Sequence, residues 1–236
     1  LCAHAVVMPQ AEQALTALEE VPNLQWHRSA AELAAAVRDR PAPAPIALTP
    51  AQREVLRPYQ AEGVDFLFAR WAYGIGALLA DDMGLGKTLQ VLACIHGIRK
   101  QTGGGRTLVV CPASVASVWS AEVARFFPEH TVDLLDGAPN ERGARLAAAD
   151  DICVCSYGIL RMDVERLQAV DWTTVVLDEA QHIKNPDAAV THAAKGLPAR
   201  WRLALTGTPL ENSPLDLWSL VDFLNPGYLG AAAQFV

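Results

Sequence analysis

Apolar runs of strand length recur along the chain at 76–80, 107–111, 131–135, 152–155, 173–177 and 202–206. Between most of them the apolar positions switch to helical spacing, at 59–71 (Val64, Leu67, Phe68, Trp71), 87–99, 115–127 and 159–167. The runs are rich in Val and Leu and lack polar alternation, the pattern of strands buried on both faces. This predicts an α/β fold, a three-layer sandwich around a mostly parallel central sheet. Gly103, Gly104 and Gly105 predict a flexible turn into the second strand. Near the end, Ser213-Pro214 opens a helix with Leu217, Leu220, Val221 and Leu224 on one face, and Asn225-Pro226-Gly227 stops it.

The first part of the chain follows a different pattern. Ala11, Ala14, Leu15 and Leu18 fall at the spacing of one amphipathic helix. Ser29 and Glu32 form a capping-box pair ahead of a second, with Ala30, Leu33, Ala34 and Val37 on its face. Residues 1–40 are too few for an independent core. They are expected to be a remnant of an upstream domain or a cover segment, a short α/β or helical appendage. Residues 41–50 hold four prolines and read as a semi-rigid linker, and 51–236 as the main lobe.

Composition narrows the function classes. The chain has 236 residues, 51% hydrophobic and 19% charged, a balance that supports a core. The net charge of −7 excludes a protein that coats nucleic acid by bulk charge, though not a local basic groove. No apolar run has the length of a membrane-spanning helix, and the opening residues lack the basic flank of a signal peptide, so a cytoplasmic protein without membrane partners is expected. The five cysteines (Cys2, Cys94, Cys111, Cys153, Cys155) are an odd number at spacings that form no disulfide framework. Cys153 and Cys155 form a CxC that is either a metal pair or, without a second pair at zinc spacing, two buried thiols.

Three segments carry chemistry. Ala80-Asp81-Asp82-Met83-Gly84-Leu85-Gly86-Lys87-Thr88 follows an apolar strand and opens a helix, the context of a phosphate-binding loop. Gly84 and Gly86 let backbone N–H groups approach phosphate oxygens, and the helix N-terminus adds a favourable dipole. Lys87 would neutralise the β- and γ-phosphates and the Thr88 hydroxyl would ligate Mg²⁺. The strict GxxxxGK[ST] pattern fails once, where Asp81 takes the place of the first glycine.

Val175-Val176-Leu177-Asp178-Glu179-Ala180-Gln181 puts two adjacent acids at the carboxyl end of a buried strand, where open α/β sheets place their sites. One carboxylate there can hold Mg²⁺, partly through its water shell, while its neighbour activates water. Leu205-Thr206-Gly207-Thr208-Pro209 follows another strand end and offers two hydroxyls beside a glycine. It is either a functional turn or a plain exit from the strand. Together the first two segments imply ATP or another nucleoside triphosphate, with Lys87, Asp178 and Glu179 as catalytic candidates.

From 56 to about 230 these residues resemble the first RecA-like lobe of the Swi/Snf-type DNA translocases. These are relatives of superfamily-two helicases that remodel protein–DNA complexes without separating strands. Leu56-Arg57-Pro58-Tyr59-Gln60 with Glu62-Gly63 is similar to the family's entry motif. The resemblance implies that Gln60 reads adenine, with Arg57 and Tyr59 nearby, and that Met83, Gly84, Leu85, Gly86, Lys87 and Thr88 complete the nucleotide site. The loop matches the family's motif I except at Asp82, where the family has Glu. Val109 to Ser114 with Trp119 and Glu122 resembles motif Ia, Cys155-Ser156-Tyr157 the next DNA-proximal motif, Asp178 to Gln181 motif II, and Thr206 to Asn212 with Leu217-Trp218-Ser219 motif III.

The resemblance thereby implies that Pro112, Ser114, Ser156, Tyr157, Thr206, Gly207 and Thr208 lie near a double-stranded DNA backbone. Val118 replaces the family's Asn and is expected to affect local packing only, and Trp119 is expected in the core rather than stacked on a base. His182 reads either as a relay to a second lobe or as a hydrogen-bonded turn residue. Arg161, Arg166, Arg200 and Arg202 are expected on solvated surface. The implied function is the ATP- and Mg²⁺-binding lobe of a DNA-dependent ATPase. It would act with a second RecA-like lobe in cis on an unknown protein target, would be nearly inactive alone, and would be nucleoid-associated if bacterial. Two other readings stay open: a lobe of another P-loop ATPase or RNA helicase, and a catalytically inactive nucleotide-binding scaffold.

Overall fold

The computed structural model describes residues 45–207 and 214–232. The two helices expected within 1–40 lie outside the described residues. Among the described residues six strands form one sheet: β1 (Ala77–Leu79), β2 (Thr107–Cys111), β3 (Val132–Leu134), β4 (Ile152–Ser156), β5 (Trp172–Leu177) and β6 (Ala199–Leu205). They lie in the order β1-β6-β5-β2-β4-β3, and every neighbouring pair is parallel. Each strand lies within three residues of an expected apolar run, because full burial on both faces leaves that run no other use.

Alternate residues of each strand feed opposite layers. Val109, Val154, Val176 and Leu203 face a core shared with three helices: α2 (Pro58–Ala72), α3 (Lys87–Thr102) and α4 (Ala116–Phe126). Leu108, Cys153, Val175, Leu177 and Ala204 face the other core. It is covered by α5 (Pro139–Ala148), α6 (Tyr157–Met162), α7 (Val164–Gln168), α8 (Ala189–Lys195) and α9 (Pro214–Leu224). A further short helix, α1 (Pro50–Val55), precedes α2 and is capped by Thr49, whose hydroxyl accepts from Gln52 N. Ile46, inside the stretch read as linker, is buried against α3. Among the described residues no helix is long and apolar enough to cross a membrane.

Three details differ from the sequence reading. The helix expected at 159–167 is two, broken at Asp163, whose carboxylate receives Arg142 Nε at 2.5 Å and Nη2 at 2.8 Å. That guanidinium holds the Asp163 carboxyl below its ordinary range. The helix expected from 115 starts as a single 3₁₀ turn at Ala113–Val115. Arg202 does not lie on solvated surface. It is half-buried and donates to the carbonyls of Phe223, Lys195 and Leu197. Arg200 is exposed and pairs with Asp171. Cys94, Cys111, Cys153 and Cys155 are buried free thiols, with burial pushing Cys153 up to about 11 and Cys111 to about 12.

A buried polar knot ties α3 to the chain before β3. His96 Nδ1 lies 3.0 Å from His130 Nε2, and Glu129 and Asp151 flank the pair. Burial lowers both imidazoles below their ordinary 6.5, with Arg99 and Lys100 adding to the effect, and it outweighs Glu129 at His96 and Asp151 with Glu129 at His130. The unfolded chain therefore takes up protons that the folded pair refuses. Stability from the pair is fully present above about pH 6.5 and is lost as pH falls towards the depressed folded values. Urea midpoints at pH 5 and pH 8 check this: the gap should shrink in a His96→Gln/His130→Gln double variant.

Candidate active site

The strand order lines up the carboxyl ends that matter. In sequence across the sheet edge come the loop after β1, Thr206 after β6, Asp178 after β5, Pro112 after β2 and Tyr157 after β4. Adjacent strands are about 4.8 Å apart, so β1 and β5 stand two steps, about 10 Å, from each other. A triphosphate lying along that edge spans the distance.

The loop after β1 is braced from both sides. Lys87 opens α3 and folds its ammonium back onto the loop, donating to Asp81 O at 2.7 Å and Asp82 O at 3.1 Å. Asp81, the residue that breaks the strict glycine pattern, points inward. It is buried, and Gln90 Nε2 on α3 donates to its Oδ2 at 3.0 Å. Gly86 has φ +74°, a conformation that calls for glycine, and a Cβ there would also press on the Gln60 amide and displace it from Leu85 O. Met83 is the most exposed large apolar side chain described, at 79%. The Cβ of an alanine at Gly207 would stand 3.1 Å from Met83 Cγ.

Gln60 lies under this loop. Its Oε1 accepts from Arg57 N at 2.9 Å and its Nε2 donates to Leu85 O at 3.1 Å, while the Tyr59 hydroxyl donates to the same carbonyl at 3.3 Å. Arg57 is exposed beside them, and Thr88 is half-buried in the first turn of α3. The entry motif and the phosphate loop thus form one hydrogen-bonded unit.

Asp178 and Glu179 leave β5 in an unusual geometry. Glu179 has φ 51° and ψ 54°, the one positive φ outside glycine among the described residues. Such a backbone costs of order 1 kcal/mol and turns the side chain out of the strand's alternation. The Glu179 N–H donates to Asp178 Oδ1 at 3.0 Å, and Gln181 Nε2 donates to Glu179 Oε2 at 2.9 Å. Thr206 Oγ1 donates in turn to Gln181 Oε1 at 3.0 Å, linking the end of β6 to the second carboxylate.

Asp178 is half-buried, and desolvation raises its carboxyl above the usual range. The Trp119 hydrogen bond works against that rise, Glu179 adds to it, and Lys87 opposes it through space.

The segments after β2 and β4 both meet Asp178 directly. Trp119 on α4 is fully buried, as expected, and its Nε1 donates to Asp178 Oδ2 at 2.9 Å. Tyr157 is buried too. Its hydroxyl donates to the Asp178 carbonyl at 2.8 Å, its ring stacks on His182 at 4.5 Å, and burial raises its phenol well above the ordinary value. His182 itself is exposed. Ser114 is exposed and Pro112 half-buried at the end of β2, whereas Ser156 accepts from Ile159 N as the cap of α6. Thr206 is buried and Gly207 half-buried; Thr208 lies outside the described residues.

Residues 59–236 match the SNF2-related domain, a span that holds the loop after β1, both carboxylates and the segments after β2 and β4. The chain belongs to the SNF2-related family. This SNF2-related lobe is 40% identical over 193 residues to YwqA of Bacillus subtilis, covering 80% of this chain and 21% of YwqA. It is 42% identical over 196 residues to the TATA-binding protein-associated factor mot1 of Aspergillus fumigatus, covering 77% of this chain and 10% of mot1.

Among solved structures, the Sulfolobus solfataricus SWI2/SNF2 ATPase core in complex with dsDNA superposes with a TM-score of 0.71 at 42% identity, covering 76% of this chain and 38% of that one. The SNF2-related chain therefore spans about a fifth or less of the curated relatives it matches. Its fold is that of the RecA-like lobe of the SNF2 ATPase core, and its relatives are ATP-dependent helicases and translocases.

The pairings across the site were not readable in the sequence. Trp119 and Asp178 are 59 residues apart, and a tryptophan on an amphipathic helix carries the same signal whether or not its N–H has a functional partner. The family-style spacing of Trp119 behind Ser114 was the one available hint.

Proposed function

We propose that this chain is the ATP-binding lobe of an ATP-dependent double-stranded-DNA translocase that remodels protein–DNA complexes, with a second RecA-like lobe supplied in cis. The observation that carries this reading is the shared edge: the Lys87 loop and the Asp178/Glu179 pair follow strand ends two steps apart, and Trp119 and Tyr157 both hydrogen-bond the same aspartate. We further propose a cytoplasmic location, nucleoid-associated in a bacterium, and a DNA-bound protein as the target.

In this reading Lys87 exchanges the Asp81 and Asp82 carbonyls for the β- and γ-phosphates, and Gln60 with Tyr59 and Arg57 receives adenine. The site's oxygen donors, the Asp178 carboxylate and the Thr88 hydroxyl, suit a hard cation, and these two residues would hold Mg²⁺. When bound, Mg²⁺ neutralises charge on the β- and γ-oxygens. Glu179, turned outward by its left-handed backbone and fixed by Gln181, orients the attacking water and takes its proton. Pro112, Ser114, Ser156 and Gly207 form the rim along which one DNA backbone passes, and Ser114, exposed, donates to a phosphate. Tyr157 and Thr206 act from beneath that rim rather than on it. Arginines of the second lobe complete the charge stabilisation.

Steady-state ATPase assays with and without duplex DNA test the proposal. The full-length protein should be stimulated strongly by duplex DNA, and residues 1–236 alone should stay near background in both conditions. Stimulation by duplex RNA exceeding that by DNA, or strong stimulation of residues 1–236 alone, would overturn it.

A further inference from the structure

Asp178 is gripped from both layers of the sandwich. Tyr157, from the α6 layer, holds its carbonyl, and Trp119, from the α4 layer, holds one oxygen of its carboxylate. The other carboxylate oxygen accepts the Glu179 N–H. Both oxygens therefore have a protein donor on one side each, which fixes the plane of the carboxylate and the direction of its remaining lone pairs. A tryptophan indole offers a single donor and nothing else, so Trp119 sets orientation without competing for a cation. Trp119 lies in the first turn of α4, and the 3₁₀ turn that holds Ser114 leads directly into that helix.

We propose that Trp119 is a positioning residue, holding the Asp178 carboxylate in the orientation that receives the divalent cation of a bound nucleotide. This rests on the nucleotide-site reading above and assigns Trp119 a role beyond filling the core. Removing the indole N–H while keeping an aromatic body frees one carboxylate oxygen to turn away, so cation affinity falls while the phosphate loop, on the far side of β6, keeps its own contacts.

The experiment measures, in the full-length protein, the dissociation constant of a fluorescent ADP with excess Mg²⁺ and with EDTA. The ratio of the two constants reads cation-dependent binding without requiring turnover. Trp119→Phe should leave the EDTA constant unchanged and reduce the ratio at least about tenfold, the low end for one lost hydrogen bond to a charged group. DNA-stimulated hydrolysis should show the matching change, a higher half-saturating Mg²⁺ concentration with duplex affinity unaltered.

Val123→Ala is the control, since Val123 lies one turn further along α4, buried in the same core, and thins that core without touching Asp178. It should lower Tm and leave the ratio at the wild-type value. A Trp119→Phe ratio equal to that of wild type, with or without a lowered Tm, overturns the positioning role alone. Wild-type protein that binds no nucleotide overturns the functional reading and this inference with it.

Discussion

Glu179→Gln in the full-length protein is expected to bind ATP as tightly as the unaltered protein and to hydrolyse it about a thousandfold more slowly, the scale of a lost general base. The substitution is clean for structural reasons. Glutamine keeps the size of the side chain and an acceptor oxygen for Gln181 Nε2, so the bridge from Thr206 through Gln181 survives. The left-handed backbone at this position is no worse for glutamine than for glutamate. Removing the charge also removes the repulsion that Glu179 exerts on Asp178, so that carboxyl should titrate closer to its ordinary value. Equilibrium binding of a fluorescent ATP analogue, with single-turnover hydrolysis on duplex DNA, checks both halves. Normal turnover would mean that the base lies elsewhere.

The second large effect is expected at Lys87. Lys87→Ala should weaken ATP and ADP binding at least about a hundredfold, because two charge-assisted hydrogen bonds to phosphate are lost together. The alternative is to be weighed as well: the ammonium bonds the Asp81 and Asp82 carbonyls, so its removal leaves that turn of the loop without its internal donor. Lys87→Arg separates the two. A guanidinium restores charge and donors but not the compact shape of the ammonium, so partial recovery of binding indicates phosphate contact, whereas calorimetry with unaltered protein gives the reference. Undiminished ADP binding by Lys87→Ala would remove the loop from the site.

The strands of this lobe are legible because each runs through the middle of a sandwich, where every side chain must be apolar. Where that pressure is weak, the pattern fades. The helix α5 buries only Arg142 and Leu146, and α1 buries nothing, so neither leaves a stripe to follow. The break at Asp163 depends on Arg142, which lies 21 residues away and has no local signature. Candidate chemistry was more visible than geometry. The glycines, Lys87 and the paired acids stand out by type and spacing, yet the inward Asp81, the left-handed Glu179 and the indole on Asp178 are properties of the packed chain. Tyr157 shows the difference plainly: the resemblance implies that it lies beside the DNA, while its ring is buried and its hydroxyl holds the Asp178 carbonyl from below.

The placement of β1 has a consequence for how the lobe is made. Among the described residues β1 stands at the sheet edge with β6 as its one neighbouring strand, so Ala77 waits for Leu203 and Leu79 for Leu205. During synthesis the phosphate loop emerges early, but the strand that seats it emerges after β2, β3, β4 and β5. Such distant pairing is slow to form, since a long loop must close before any contact rewards it. A ribosome that stalls short of Leu205 therefore releases a chain carrying every residue of the phosphate loop, with an unpaired strand edge beside it and no seat for the loop to occupy.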